Sequence, residues 1–266
     1  MSKTGHITEP AILERLPQPV LAMAKNFPDG SAIAPHSHRS AQLVYASEGV
    51  MTLSTTGGAF VVPPQRAVWV PPGIEHSIAM RGPLAMRTLY VKPDARRGLP
   101  ADVRVVAVSP LLRELILTAT NRAQEYAPDE PTARLMAVIL DQIEILPVAP
   151  LYLPMPSDSR IARVAEALQM DPSDPNSLED WARQVGASQR TLARLFLLET
   201  GMSFGAWRQQ ARLLRSLELL AGGAAVTATA MDVGYESPSA FVAMFRRALG
   251  VSPRRYFSGG RKARQR

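Results

Sequence analysis

The C-terminal part of the chain contains one sequence pattern twice, and this repeat constrains the fold more than any other feature. The first copy covers residues 177–207 and the second covers residues 226–256. In the first half of each copy, matching positions lie 48 residues apart: Leu178, Ala182, Val185 and Gly186 correspond to Val226, Ala230, Val233 and Gly234. In the second half they lie 49 residues apart: Leu192, Phe196, Gly201, Ser203 and Trp207 correspond to Phe241, Phe245, Gly250, Ser252 and Tyr256. The chain therefore builds one helical unit twice, with one extra residue in the second turn.

Each copy has the features of a helix-turn-helix. Ala182 and Ala230 are small enough for a second helix to cross closely, and the glycine four residues after each can adopt the positive φ of a sharp turn. Ser188 and Ser237 are suited to cap the second helices. In the first copy, the side opposite the apolar residues carries arginine and glutamine, which match base edges in the major groove. The pattern predicts two DNA-binding units; a plain helical bundle is the alternative.

The segment between the copies and the charge of this region agree with that prediction. Residues 204–221 have one helical period, and such a helix would be roughly 27 Å long at about 1.5 Å per residue. One turn of DNA, the spacing of two reading helices, is roughly 34 Å. Residues 156–266 contain 16 basic residues, 15 of them arginine, and 10 acidic ones, a net charge of +6. A solvated basic surface would explain the charge alone, but not the charge together with the repeat.

The stretches WARQVGASQRTLARLF and AMDVGYESPSAFVAMFRRALGVSPRRY closely resemble the DNA-binding domain of AraC/XylS-family transcriptional regulators, and the resemblance covers residues 158–257. It implies seven helices and two recognition helices in successive major grooves. Arg190 and Arg194 match base-contacting positions of the first recognition helix. The matching positions of the second are small or apolar: Pro238, Ser239, Val242 and Ala243. The residues predicted to contact DNA are Ser188, Gln189, Arg190, Thr191, Arg194, Ser237, Ser239, Arg246 and Arg247.

The N-terminal part has a different periodicity. From about Val20 to Val91, short apolar runs are broken by Gly-Gly and Pro-Pro at intervals of roughly ten residues, which is typical of an antiparallel sandwich or barrel. Gly30, His36, His38, Gln42 and Gly49 have the spacing of the first cupin motif, and Pro71-Pro-Gly73 followed by His76 has that of the second. Glutamine replaces the usual glutamate, and Met80 stands at the usual closing asparagine. This resemblance implies a cupin-like small-molecule sensor, which is common in the same family.

The histidines are the candidate ligand site. His36 and His38 lie two residues apart on a predicted strand and therefore share a face, and a Pro-Gly turn can bring His76 beside them. Three imidazoles and an amide oxygen could hold one divalent ion such as Zn, Ni, Fe or Mn. The alternative is that the motif builds the turns and the pocket without a metal. The predicted effector pocket consists of His36, His38, Gln42, Trp69 and His76, with the three histidines as candidate metal ligands.

The fold class predicted from these patterns is α+β with two domains: a cupin-like β-barrel with a helical pair, followed by an all-α double helix-turn-helix domain. The predicted boundaries are 1–98 for the effector-sensing domain, 99–147 for a helical dimerisation element, 148–157 for a stiff proline-rich linker, and 158–266 for the DNA-binding domain. The apolar residues predicted to join two copies are Leu112, Leu115, Leu135, Val138 and Ile139.

The predicted function is that of a sequence-specific DNA-binding regulator that responds to a small-molecule effector and is not an enzyme. The predicted partners are double-stranded operator DNA, the effector and a second copy of the chain, with RNA polymerase as a further candidate. The sequence contains no uncharged apolar stretch of about 20 residues, its first residues do not have the pattern of a signal peptide, and the absence of cysteine excludes disulfides. We therefore expect the protein in the cytoplasm, on the nucleoid. The alternative is a metal-dependent cupin enzyme with a fused helix-turn-helix domain.

Overall fold

A computed structural model of the chain describes residues 16–145 and 151–258, which divide into two compact units. The first unit contains residues 16–55 and 62–145, and the second contains residues 56–61 and 151–258. The first is rich in β-strands and the second is mainly helical, so the predicted α+β class with two domains is confirmed. Along the chain, the strands come before the seven helices of the second unit.

The described strands are β1 (Val20–Phe27), β2 (Ala32–His36), β3 (Ala41–Thr55), β4 (Gly58–Val62), β5 (Arg66–Val70), β6 (His76–Val91), β7 (Arg104–Ala107), β8 (Glu144–Ile145) and β9 (Tyr152–Pro154). In the first unit the sheet order is β1-β6-β3-β5-β7-β8, with β2 also paired to β6. These pairs are antiparallel. The long strands β3 and β6 shift register between Ala46 and Val50, and such bulges bend a sheet. The result is a curved, cupin-like sheet with two distinct faces.

One face of this sheet packs against α1 (Pro110–Thr120) and α2 (Pro131–Asp141). A proline opens each helix, and the Ser109 hydroxyl accepts a hydrogen bond from the Leu112 amide at 3.1 Å, which is a regular N-cap. Leu112 and Ile139 are fully buried in the core shared with the sheet. They cannot join two copies as predicted, because the sheet already covers them. Of the predicted residues Val138 is exposed, at 43%, and so is Leu111, at 55%, which the prediction did not include.

The second unit contains α3 (Ser159–Met170), α4 (Leu178–Gln184), α5 (Gln189–Thr200), α6 (Phe204–Ala221), α7 (Val226–Asp232), α8 (Pro238–Leu249) and α9 (Pro253–Ser258). These are the seven helices that the family resemblance implies. The buried aromatic side chains of Phe196 and Trp207 in one half have counterparts in Phe245 and Tyr256 in the other. The sequence repeat is therefore also a repeat of the core.

The two turns of the repeat have the same backbone structure. The Ala187 amide donates to the Ala182 carbonyl, and the Tyr235 amide donates to the Ala230 carbonyl, each at 2.9 Å. The glycines before these amides, Gly186 and Gly234, have φ of 69° and 77°. Side chains with a Cβ atom rarely adopt such angles, which explains why both turns contain glycine.

We expect Gly234→Ala to destabilise the second unit more than Gly186→Ala, although both glycines have positive φ. A Cβ at Gly186 meets no atom within 4 Å, so only the backbone conformation is penalised, by about 1–2 kcal/mol. A Cβ at Gly234 would lie 2.9 Å from the Ser173 Cα and 2.8 Å from the Arg212 guanidinium, which adds roughly 1–3 kcal/mol for the displaced loop. Urea unfolding followed by circular dichroism measures both. Equal losses would contradict the close approach at Gly234.

The proline-rich segment that the sequence predicts as a linker over 148–157 is packed over its described part. Strand β9 pairs with residues 58–60 of β4, and Leu151 and Leu153 are buried. The Trp207 indole donates a hydrogen bond to the Pro154 carbonyl at 2.8 Å, and the Gln210 amide donates to the Tyr152 carbonyl at 3.1 Å. Residues 146–150 lie outside the described residues. The leucines between the prolines explain the packing, because each side chain buries apolar surface.

Candidate DNA-binding surface and histidine site

Helix α5 separates an apolar face from a basic one. Leu192 and Phe196 are fully buried, while Gln189, Arg190 and Arg194 are exposed. The Ser188 hydroxyl caps the helix by accepting a hydrogen bond from the Thr191 amide at 3.1 Å. Arg190 and Arg194 lie four residues apart and therefore project from the same side of the helix. This arrangement presents two guanidinium groups along one exposed stripe.

The arginines of α5 differ from those of α6. Arg208 donates to the Asp174 and Asn176 carbonyls at 3.1 and 2.8 Å, and Arg212 donates to the Pro172 carbonyl at 2.8 Å. These side chains hold the loop that precedes α4. Arg190 and Arg194 form no ion pair with any carboxylate of the described residues, so their donors remain available to a ligand. Charge counting on the sequence cannot distinguish the two roles, because both are arginines on helices.

Helix α8 has a different exposed face. Ser237 caps it by accepting a hydrogen bond from the Ala240 amide at 3.3 Å. Ser239, Ala243, Arg246 and Arg247 are exposed, whereas Pro238 and Val242 are half-buried. The part of the helix that corresponds to Arg190 and Arg194 therefore offers small side chains, and its two arginines lie at the C-terminal end.

The structure brings the three histidines together on the face of the sheet opposite α1 and α2. His36 lies at the end of β2, His76 at the start of β6, and the two strands pair at these positions. The ring centroid of His36 is 4.8 Å from that of His38 and 4.4 Å from that of His76. The candidate ligand nitrogens of the three rings lie within 4.8 Å of one another. The spacing is suitable for ligands of a single metal ion.

A chain of hydrogen bonds fixes the orientation of the Gln42 side chain. The Thr88 hydroxyl donates to the Leu43 carbonyl at 2.9 Å, so its oxygen can only accept from Gln42. The Gln42 amide nitrogen therefore faces Thr88, at 3.1 Å, and also Tyr90, at 3.2 Å. As a result, the Gln42 Oε1 faces His76 Nε2 at 3.0 Å.

Both ring nitrogens of His76 face oxygens that only accept. Nδ1 lies 2.9 Å from the Ile74 carbonyl and Nε2 lies 3.0 Å from Gln42 Oε1, so the single proton of a neutral ring can serve only one of these contacts. Burial lowers the pKa of His76, with a smaller opposing contribution from the hydrogen bond to Ile74, and so disfavours a second proton on the ring. With the proton on Nδ1, two acceptors face each other across 3.0 Å. A cation between them would relieve this contact.

Trp69 does not join the histidines. Gln42 pairs with Val70, and Leu43 pairs with Trp69, so strand alternation turns the indole to the opposite face. There it is buried against α1 and α2, and its Nε1 donates to the Pro100 carbonyl at 3.0 Å. Sequence reasoning missed Thr88 and Tyr90, which hold Gln42. The alternation of β6 could have indicated them, but only once its register against β3 was known.

The cavity beside the histidines is small. Its volume is about 150 Å³, and its apolar lining includes Met23, Phe27, Ile33, Ile78 and Met86. Small-molecule sites usually have volumes of about 300–1,000 Å³. The cavity is large enough for an ion with a few attached atoms. It is too small for a larger effector.

Each half of the chain matches the profile of a known protein family. Residues 19–168 match the family profile described as AraC-like ligand binding domain, and residues 181–259 match that of a helix-turn-helix domain. The HTH-type transcriptional regulator NimR of Escherichia coli K12 is 38% identical over 223 residues, which cover 84% of this chain and 81% of NimR. RipA of Corynebacterium glutamicum, another HTH-type transcriptional regulator, is 37% identical over 106 residues, which cover 40% of this chain and 32% of RipA.

Among solved structures, ToxT from Vibrio cholerae aligns over 91% of this chain and 98% of its own, with 11% identity and a TM-score of 0.38. Within residues 16–145 and 151–258, no helix has the length and apolar composition needed to cross a membrane.

Proposed function

The chain belongs to the AraC family of transcriptional regulators, and on that basis we propose that it binds double-stranded operator DNA through α5 and α8 while the histidine site responds to a ligand. The observation that carries this proposal is the exposed pair Arg190 and Arg194 on a helix whose opposite face is fully buried. The proposal gives the chain no catalytic role and locates it in the cytoplasm. RNA polymerase is a further partner that such a regulator would contact.

The two recognition helices have unequal tasks in this proposal. Arginine donates two hydrogen bonds to the O6 and N7 atoms of guanine, the commonest specific contact to a base edge. Arg190 and Arg194 therefore select bases. On α8, Ser237, Arg246 and Arg247 contact phosphates, which position the protein without specifying sequence. Ser239 and Ala243 add contacts of small side chains in the groove.

Selection from random DNA by the purified full-length protein tests the proposed function. We expect an enriched site with two parts centred about 10–10.5 base pairs apart, the spacing of successive major grooves. One part should be strongly specified and contain guanine, and the other should be weakly specified. Failure to enrich any sequence would contradict operator binding, whereas two equally specified parts would contradict the unequal tasks alone.

The donor set of the histidine site fits a divalent metal ion. His36 Nδ1 lies 2.8 Å from the Ala34 carbonyl, and His76 Nδ1 lies 2.9 Å from the Ile74 carbonyl. A proton on each Nδ1 leaves the Nε2 lone pair of the ring for a ligand. We propose that His36, His38 and His76 hold the ion together with Gln42 Oε1. A bound ion would supply a positively charged centre to which a small effector could attach. Sensing is favoured over turnover because the cluster of potential metal-ligand atoms among the described residues contains the three histidines and no carboxylate.

We expect the change of His36 and His76 together to alanine to abolish metal binding by purified, untagged protein while operator affinity is kept. Gln42→Glu is the matched variant, and it should tighten metal binding because its carboxylate adds the negative charge that the amide lacks. Calorimetric titration with Zn²⁺ measures both. Unchanged Zn²⁺ affinity in the double variant would contradict the site. Turnover by the wild type that is lost in the double variant would favour the alternative, a cupin enzyme.

We also propose a homodimer in which the exposed apolar side chains of the helical pair meet. Leu111 on α1 and Val138 on α2 are the candidates, because both are large apolar residues open to solvent. We expect Leu111→Glu combined with Val138→Glu to convert a dimer into a monomer in sedimentation experiments. Met170→Glu puts the same charge on an exposed apolar residue of α3 in the second unit and is the matched control. A monomeric wild type at micromolar concentration would contradict the dimer.

A further inference from the structure

A second cavity lies in the first unit, on the face of the sheet that packs against the helices. Its volume is about 500 Å³, compared with about 150 Å³ beside the histidines. This is within the range of small-molecule sites, about 300–1,000 Å³. The residues before and at the start of β1 form one wall, and α2 forms the other. Its apolar lining includes Pro17, Pro19, Val20, Tyr126, Met136 and Leu140.

The space exists because α2 presents two alanines to it. Ala133 and Ala137 both line the cavity, and their spacing of four residues places them on one side of the helix. Met136 and Leu140, on the deeper side, are buried and close the bottom of the cavity. Larger side chains at the two alanines would fill the space. The cavity is thus a direct result of residue size on one helix face.

Hydrogen bonds hold the walls in place. The Tyr126 hydroxyl donates to the Val20 carbonyl at 2.6 Å, which ties the loop between α1 and α2 to β1. The Ala22 amide donates to Gln124 Oε1 at 2.5 Å, and the Gln124 amide donates to the Arg122 carbonyl at 2.8 Å. A cavity with walls fixed in this way is formed before any ligand arrives. Binding therefore costs little conformational entropy of the protein.

The charges at the cavity cancel one another. Arg96 and Asp141 are the charged residues of the lining, and their side chains lie 3.6 Å apart. Arg96 also donates a hydrogen bond to the Leu140 carbonyl. A charged ligand would find no uncompensated partner here, and burying it against an apolar lining would be costly. We propose that this cavity is a second binding site, independent of the histidines, for a neutral and mainly apolar small molecule.

Fluorescence titration of the full-length chain with N-phenyl-1-naphthylamine tests this site, because the probe is neutral and apolar and fluoresces more strongly away from water. We expect one bound probe per chain. Ala137→Phe should weaken binding by at least about tenfold, because the ring occupies the cavity, and it should fold normally because Ala137 is exposed at the surface of α2. Thr118→Phe introduces the same ring at an exposed position of α1 away from the cavity and should leave binding unchanged.

Three further arms decide the remaining outcomes. The anionic analogue 8-anilinonaphthalene-1-sulfonate should bind more weakly, and tighter binding would overturn the assignment of a neutral ligand. Full affinity in Ala137→Phe, or loss of binding in the variant with His36 and His76 changed to alanine, would place the probe elsewhere and overturn the site. A chain without residues 1–15 should bind equally; binding seen only in that chain would make its own N-terminal segment the occupant. Operator affinity is measured in a separate experiment. A failure of the cavity proposal can therefore be distinguished from a failure of the DNA-binding proposal.

Discussion

Trp207→Ala is expected to destabilise the second unit by about 3–5 kcal/mol, the usual cost of truncating a buried tryptophan. The indole is fully buried beside Phe196, on the helix that connects the two helix-turn-helix units. Its Nε1 also satisfies the Pro154 carbonyl. The loss should appear in urea unfolding followed by circular dichroism, and operator binding should fail at temperatures at which the wild type still binds.

Phenylalanine substitutions separate packing from hydrogen bonding. Trp207→Phe keeps an aromatic ring but leaves the Pro154 carbonyl without its donor, at a cost of about 1–3 kcal/mol. Trp181→Phe is the matched control, because the Trp181 Nε1 is buried without a hydrogen-bond partner in the described part of the chain. Trp181→Phe removes an unsatisfied donor and should lower the free energy of unfolding only slightly. Equal effects of the two phenylalanine variants would contradict the role assigned to the bond with Pro154.

Arg194→Ala is expected to remove about 1–3 kcal/mol of discrimination at one base pair, or roughly 5- to 150-fold in relative affinity. Its guanidinium is exposed, free of carboxylates within the described residues, and four residues from Arg190 on the same face. The measurement is the affinity for the selected site and for single-base variants of it. The discrimination should disappear at one position and persist at the others.

Arg247→Ala is the control for this prediction. Its side chain lies at the C-terminal end of α8 and is expected to contact phosphate, so affinity should fall equally for every sequence. The dependence of log affinity on log salt should become less steep by about 1, because one fewer counterion is released. A uniform loss from both variants would mean that Arg194 also contacts only phosphate.

Sequence reasoning succeeded where the structure depends on neighbours in the chain. The turns and the helix caps of the repeat involve only residues close together in the chain, so the sequence alone shows their pattern. They are the turns at Gly186 and Gly234 and the caps at Ser188 and Ser237. The histidine cluster was also predictable, because the cupin spacing fixes which strand ends carry it. The structure brings the three histidines together, and the family profile confirms the ligand-binding domain that contains them.

Sequence reasoning failed where long-range packing selects a face. Trp69 could have pointed to either side of β5, and only the pairing of Leu43 with Trp69 decides this. On α1, Leu111 and Leu112 are adjacent apolar residues, yet one is exposed and the other is fully buried. The hydropathy of the helix does not distinguish them, because the position of the sheet beneath the helix determines which one is covered.

Strand β9 has a consequence for attempts to exchange effector domains between regulators of this family. A chimera joined in the proline-rich segment before Tyr152 would inherit residues 58–60 from one parent and Tyr152–Pro154 from the other, although these residues form one ladder. Phe60 stacks on Tyr152 at 4.5 Å, and the Tyr152 hydroxyl donates to the Gly57 carbonyl at 2.6 Å. The genetic unit that specifies the DNA-binding part is therefore discontinuous, and a functional transplant has to carry residues 56–61 along with it.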